Sequence, residues 1–135
     1  MEDLDAFARD LSSATPRTLG SIFQRRPGGL WVKLPFKAVY LFTTPDDQMK
    51  FYIGISGTAK TQGLRGRLRW HWYSTRSKSD LRGIILCHPQ YPQRVEKYLV
   101  RWLSLEDFDT PDMRHIESGL KRLWRPEYDK QIGIA

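Results

Sequence analysis

Apolar residues recur with two different periods along the first half of the chain. Residues 3–13 carry four apolar side chains at helical spacing, which predicts a short amphipathic helix. Residues 37–56 read KAVYLFTTPDDQMKFYIGIS, two runs rich in Val, Ile, Tyr and Phe around a Pro- and Asp-containing stretch, which predicts a β-hairpin. The intervening TPRTLGSIFQRRPGG ends in a Pro-Gly-Gly breaker. It is either a solvated connector or a basic arm that lies along a phosphate backbone.

The second half of the chain predicts three helices and a strand. Residues 64–74, LRGRLRWHWYS, have three apolar side chains four positions apart, which indicates a helix with one apolar stripe. Residues 79–86 begin with a capping Ser or Asp and predict a second short helix. Alternation predicts a strand over 97–105. A final helix is expected over about 110–124, with Pro111 at a permitted early position.

Composition narrows the choice of partners. A chain of 135 residues fits one domain. Its 22 Lys and Arg against 15 Asp and Glu give a net charge of +7, which makes nucleic acid the leading partner class. A basic chain could instead bind a membrane surface or simply be soluble. Since no apolar run approaches the roughly 20 residues of a spanning helix, we expect no membrane partner. Because the acidic start MEDLDAF is not a signal peptide, we expect a cytoplasmic protein.

The cysteine and histidine content excludes several metal sites. Cys87 is the only cysteine, so neither an internal disulfide nor a thiolate zinc cage can form. His115 and Glu117 match the H-x-E that opens the zinc deaminase signature, but the downstream P-C-x-x-C is missing. Cys87 beside His88 could pair a nucleophile with a base, yet the prolines of CHPQYPQ favour an ordinary loop.

Helical spacing sorts the charged side chains by face. Arg67 and His71 are four apart and share one face, whereas Arg65 and Arg69 share a different face. Glu117 falls on the edge of the apolar face of the final helix, so its carboxylate is expected to point toward the sheet. Magnesium can be held by one carboxylate plus a substrate phosphate, and arginine matches phosphate oxygens. This combination therefore suits phosphodiester hydrolysis.

Five short sequence elements, each of which holds a candidate site residue, follow one another along the chain. They are Tyr40 in AVYLF, the YIG of residues 52–54, the R-x-x-x-H of Arg67 and His71, the I-E-x-x-L around Glu117, and a following P-x-Y-D. Each element alone is a weak signal, but their joint order argues against chance. Over residues 36–130 the chain therefore resembles the GIY-YIG nuclease domain.

That resemblance implies an α/β (α+β) fold with a small three-stranded antiparallel sheet flanked by helices. The nuclease domain would span residues 37–131, after an N-terminal helix and basic arm or connector at 1–36 and before a tail at 132–135. The implied activity is hydrolysis of phosphodiester bonds in DNA with one divalent ion, Mg²⁺ or Mn²⁺. A homodimer would make double-strand cleavage easier for a single metal site, and the sequence leaves the oligomeric state open.

The resemblance also assigns roles by position. Tyr40 and Tyr52 would face each other near the scissile phosphate, Arg67 would stabilise the phosphate, His71 would relay or accept a proton, and Glu117 would hold the metal. A tyrosine pKa near 10 leaves only about one phenol in a thousand ionised at pH 7, so nearby cations must help. Our hypothesis is that Tyr40, assisted by His71, activates water.

Two positions depart from the family pattern. Ala38 replaces the first Gly, a change that a strand tolerates unless another element approaches its backbone closely. Asp129 stands where the family usually has Asn, which removes an amide donor and adds negative charge. Asp129 is a further candidate site residue: it could join the metal shell, could be structural, or could mark reduced activity.

Basic residues outside these motifs are expected to contact the nucleic-acid backbone or to be solvated. They are Arg65, Arg69, Arg76, Lys78 and Lys60, of which Lys60 could also favour a phenolate. One rival function is a catalytically silent nucleic-acid-binding module of the same fold. Another is a protein-interaction domain with exposed aromatics such as Trp31 and Trp70. For any one site residue alone, an ordinary structural role would be the better interpretation; their joint order reverses that preference.

Overall fold

A computed structural model describes residues 4–24, 32–58, 62–73 and 95–131. The elements are α1 (Leu4–Ser13), β1 (Arg17–Thr18), α2 (Leu19–Ile22), β2 (Ala38–Thr43), β3 (Lys50–Ser56), α3 (Leu64–Tyr73), a 3-10 turn (Val95–Lys97), β4 (Leu99–Ser104), α4 (Thr110–Trp124) and α5 (Glu127–Gln131). The helix predicted over 79–86 lies outside the described residues. The expected mixed α/β class, with an antiparallel sheet flanked by helices, is confirmed.

Within the described residues the sheet has four strands in the order β1-β4-β2-β3, so the expected count of three was wrong. The additional strand, β1, is only two residues long and pairs Arg17 with Val100 and Thr18 with Leu99. Two residues are too few to show the alternation by which a strand is recognised in sequence. The predicted hairpin is confirmed, because β2 pairs antiparallel with β3 and also with β4.

Strand β2 lies at the centre of the described sheet, and all six of its residues are buried. Its side chains alternate between the two faces. Tyr40 and Phe42 join a core with Leu64 and Leu68 of α3. Val39 and Leu41 join a second core that is completed by apolar residues of α1 and α4. The two cores hold α3 and α4 on opposite faces of the same sheet.

Helix α4 has a capping residue at each end, Asp109 before it and Arg125 after it. The Asp109 side chain accepts a hydrogen bond from the backbone N–H of Asp112 at 3.0 Å, and Pro111 occupies the first turn. Arg125 adopts a left-handed conformation (φ 48°) just past the helix, and Pro126 follows. The bounds predicted for this helix are therefore confirmed. Across the described ranges, no helix has both the length and the apolar character that crossing a membrane requires.

An ion pair anchors the loop of the hairpin. Arg101 of β4 donates to both carboxylate oxygens of Asp47, at 2.8 and 2.7 Å, and to the carbonyl of Ala14 at 3.0 Å. Asp47 itself has a positive φ of 60° and also accepts from the Thr43 hydroxyl at 2.8 Å. Asp and Asn tolerate this conformation better than most other residues with a side chain. Asp47 therefore both forms the turn and binds Arg101.

Candidate active site

A groove of about 260 Å³ runs along β3, at the edge of the described sheet. Its walls come from β3, from the loop after it, from α3 and from α4. The polar and ionisable side chains that line it include Tyr52, Ser56, Gln62, Arg67, Arg114 and Glu117. Three of the five residues expected to be catalytic, Tyr52, Arg67 and Glu117, therefore share one groove although they are far apart in sequence.

The glycine of the YIG motif makes room for the first tyrosine. Tyr40 lies opposite Gly54 in the register of β2 and β3. A Cβ built on Gly54 would overlap the hydroxyl and Cζ of Tyr40 and would crowd the ring of Tyr52. Any side chain at position 54 would push the two tyrosines from their places. This contact gives the motif a steric reason that does not depend on family resemblance.

Tyr40 and His71 form a buried pair behind the groove. The Tyr40 hydroxyl lies 2.7 Å from Nε2 of His71, and the two side chains are 0% and 2% exposed. The ring of Tyr52 packs on His71 with centroids 4.8 Å apart and on Tyr40 at 6.1 Å. The other imidazole nitrogen, Nδ1, is buried and has no hydrogen-bond partner within the described ranges. Tyr40 therefore faces His71, whereas Tyr52 faces the groove.

Burial keeps these three side chains neutral. It raises the pKa of Tyr40 well above the usual value of 10, with a further rise from Tyr52 that Arg67 opposes. Burial also raises the pKa of Tyr52 to about 12, against the opposing effects of Arg67 and of a hydrogen bond with Tyr40. Burial, and then the charge of Arg67, lower the pKa of His71 to about 3. Near pH 7 both phenols are protonated and the imidazole is uncharged.

Arg67 is the cation that links the tyrosines to the groove. Burial lowers the pKa of its guanidinium, but charge interactions and hydrogen bonds with Tyr40 and Tyr52 raise it overall. The guanidinium also lies 5.1 Å from the centre of the Trp70 ring. Arg67 is therefore charged at any working pH, and it is placed to stabilise a phenolate or a phosphate oxygen.

Glu117 brings a carboxylate to the groove from α4. Its side chain is 20% exposed, and Oε2 lies 3.5 Å from Nζ of Lys121, one helical turn later. No group of three or more His, Cys, Asp or Glu side chains within the described ranges could hold a metal ion. The groove is also lined by the oxygen-bearing side chains of Tyr52, Ser56 and Gln62. A hard ion that keeps several waters, such as Mg²⁺, fits this donor set.

Asp129 lies in α5, beside the groove rather than in its wall. Its side chain is buried, which raises the pKa of the carboxyl, and Lys121 opposes that rise. The preceding residue, Tyr128, packs edge-on against Tyr52 with centroids 4.8 Å apart. Helix α5 thus packs against Tyr52 through Tyr128. The charge of Lys121 acts on both Asp129 and Glu117.

The two remaining arginines of α3 face away from the groove, toward Phe23. Arg65 donates to the carbonyl of Val32 and, at 3.5 Å, to that of Ile22. Arg69 is exposed and stacks over the Phe23 ring at 5.2 Å. Arg65 therefore ties α3 to the N-terminal segment, while Arg69 keeps its charge at the surface. The other predicted nucleic-acid contacts lie outside the described residues; they are Lys60, Arg76 and Lys78.

Sequence reasoning missed two basic residues of this region. Arg114 lines the groove three positions before Glu117, and Lys121 pairs with Glu117 four positions after it. The signal was present, because residues three and four apart on a helix share a face.

Comparisons of the chain with protein-family models, with curated proteins and with solved structures find no match.

Proposed function

We propose that the chain is a divalent-metal-dependent endonuclease that hydrolyses phosphodiester bonds in DNA. One observation carries the proposal: Tyr52, Arg67 and Glu117 converge on a single groove from a strand and two different helices. A phenol, a guanidinium and a carboxylate are the groups that water activation, phosphate stabilisation and metal binding require. The resemblance to GIY-YIG nucleases in the order of these residues supports the same assignment.

Glu117 is the residue that would hold Mg²⁺ or Mn²⁺, with water and substrate oxygens as the other ligands. When bound there, the ion supplies positive charge to the phosphate and the leaving oxygen. The ammonium of Lys121 lies 3.5 Å from Oε2 of Glu117, so a bound metal ion would share this carboxylate with a cation that repels it. Asp129 is buried outside the groove wall, so in this proposal it has a structural rather than a ligand role.

The side chains of the chain divide the remaining work. Arg67 binds the non-bridging oxygens of the reacting phosphate and stabilises negative charge as it develops. Tyr52 is the phenol that faces the groove and accepts the proton of the attacking water once ionised. Tyr40, which hydrogen-bonds with His71, supports the Tyr52 phenolate from behind. The sequence hypothesis gave water activation to Tyr40; the exposure of the two phenols favours Tyr52.

DNA is a polyanion, so the net charge of +7 favours its binding. The exposed Arg69 could contact DNA outside the groove. A homodimer remains the form that would make double-strand cleavage easier. Cleavage of one strand requires neither the Arg69 contact nor a homodimer.

The direct experiment incubates the protein with supercoiled, linear and single-stranded DNA and with RNA, with and without Mg²⁺ or Mn²⁺. A Glu117→Ala variant is the matched control. Metal-dependent breakage of DNA that is lost in Glu117→Ala supports the endonuclease. Retarded but unbroken DNA with both proteins would instead indicate the silent binding module, and strand breakage that Glu117→Ala retains would show that another site is responsible.

A further inference from the structure

A second arginine reaches the groove from the side opposite Arg67. Arg114 lies in the first half of α4, is exposed, and lines the groove together with Glu117. Its guanidinium has neither an ion pair nor a hydrogen bond within the described ranges. An arginine that lines a groove with all its donors free is available to a ligand with acceptor oxygens.

The charges of the groove leave room for more than one anionic group. Glu117 is paired with Lys121, so these two charges balance each other. Arg67 and Arg114 both line the groove, and neither has a carboxylate partner in the described part of the chain. One phosphate diester carries a single negative charge. The two unmatched guanidiniums could therefore bind two anionic groups, as successive phosphates of one strand would supply.

The surroundings of the two arginines distinguish their roles. Arg67 is engaged by the hydroxyls of Tyr40 and Tyr52, the groups with acid–base capacity. Arg114 has no such neighbour in its interactions and lies at the exposed side of the groove. The reacting phosphate belongs beside the phenols and the carboxylate, which leaves Arg114 to the next phosphate along the chain.

We infer that Arg114 binds the phosphate adjacent to the scissile one, so that the groove selects a polynucleotide strand over an isolated phosphodiester. This inference rests on the proposed function for the position of the reacting phosphate. Arg114 is thus a positioning residue: it fixes where the strand lies and takes no part in the transfer of protons or in the binding of the metal.

The test pairs the Arg114→Ala variant with DNA that lacks one charge. Short duplexes carry a single neutral methylphosphonate at each backbone position in turn, and both affinity and cleavage rate are measured. Arg122→Ala is the matched control, because Arg122 is exposed on the same helix and does not line the groove. Thermal unfolding of both variants verifies that the fold is retained.

One methylphosphonate position next to the reacting phosphate should weaken wild-type binding by about tenfold, and Arg114→Ala should weaken binding of unmodified DNA by a similar factor. The two losses should not multiply when combined. The same methylphosphonate should retain its full effect on Arg122→Ala, because that variant keeps Arg114.

Two results would overturn the inference. In one, the affinity losses from the methylphosphonate and from Arg114→Ala multiply at every backbone position. In the other, Arg114→Ala binds and cuts DNA as the wild type does. The proposed function fails separately. If no duplex is cut in either metal but affinity still depends on Arg114 and on one phosphate, the phosphate site stands and the nuclease assignment falls.

Discussion

The Tyr40 hydroxyl of β2 lies 2.7 Å from Nε2 of His71 in α3, in a contact from which solvent is excluded. The contact joins the central strand to the helix that carries Arg67, and the ring of Tyr52 packs against it at the edge of the groove. Because His71 is neutral, this pair supports Tyr52 by hydrogen bonding and packing rather than by charge.

Acid should destabilise the protein through His71. The pKa of about 3 in the folded protein lies below the usual histidine value of 6.5, so the unfolded chain binds a proton that the folded protein excludes. This contribution is complete above pH 6.5 and is lost as the pH falls toward 3. From pH 7 to 5 it amounts to about 2 kcal/mol of unfolding free energy.

Urea unfolding of the wild type and of His71→Gln at pH 7 and pH 5 measures this contribution. Carboxylates titrate in both proteins, so the relevant quantity is the difference between their losses. Equal losses in the two proteins would show that His71 is charged or exposed in the folded state.

Cleavage should become faster as the pH rises through the neutral range. The groove-facing phenol of Tyr52 must ionise before it can accept a proton, and its pKa is raised to about 12. Below the pKa of this phenol in the metal-bound enzyme without substrate, kcat/KM should rise about tenfold per pH unit. No inflection is expected near pH 6.5, because His71 stays neutral there. Initial rates from pH 6 to 9 test this, and a plateau above pH 6.5 would assign the base role to an imidazole.

Removing the ammonium of Lys121 should strengthen metal binding. Lys121 lies 3.5 Å from the Glu117 carboxylate and repels a second cation there. Charge repulsion of about 1 kcal/mol at this distance in water corresponds to a several-fold effect, so Lys121→Met should reach half-maximal activity at roughly three- to tenfold lower Mg²⁺. Lys130→Met, at an exposed position of α5, is the control. A higher Mg²⁺ requirement in Lys121→Met would mean that Lys121 binds substrate instead.

Loss of the charge on Asp47 should weaken the hairpin. Asn tolerates the positive φ of this residue but cannot form the charged pair with Arg101, whose side chain is 10% exposed. Since Asp47 is 39% exposed, solvent screens part of the effect, and Asp47→Asn should cost about 1–2 kcal/mol. Chemical denaturation measures the cost, with the exposed Asp10→Asn as control. An unchanged unfolding free energy would show that the ion pair contributes nothing net.

Periodicity sufficed for the elements that bury many apolar residues. The hairpin, α3, β4 and α4 each repeat their apolar positions over six residues or more, and each is found close to its predicted bounds. Strand β1 has two residues and depends on pairing with β4, a partner about 80 positions away in sequence. The pairing of Arg101 with Asp47 likewise joins distant segments. Local patterns carry no information about such contacts.

The sequence predicted three of the side chains that line the groove, Tyr52, Arg67 and Glu117, but it predicted neither Arg114 nor the arrangement. Tyr40 and Tyr52 look equivalent in sequence, as aromatic residues in two strands of one hairpin. Their environments differ because, among the described strands, β2 is paired on both sides and β3 on one, and this order cannot be read from the sequence. Arg65 was expected to contact a nucleic-acid backbone or to be solvated; its hydrogen bond to Val32, 33 positions away, is not visible in a local pattern.

The most direct test of the groove as the reaction centre compares Arg67→Ala with Arg69→Ala on the same DNA. Cleavage rate and affinity are measured together in Mg²⁺. Arg67→Ala should lose about 100- to 1,000-fold in cleavage rate and at most about tenfold in affinity, because Arg67 acts mainly on charge that develops during the reaction. Arg69→Ala should keep its cleavage rate at saturation and lose affinity and salt dependence. Full cleavage by Arg67→Ala would contradict the account.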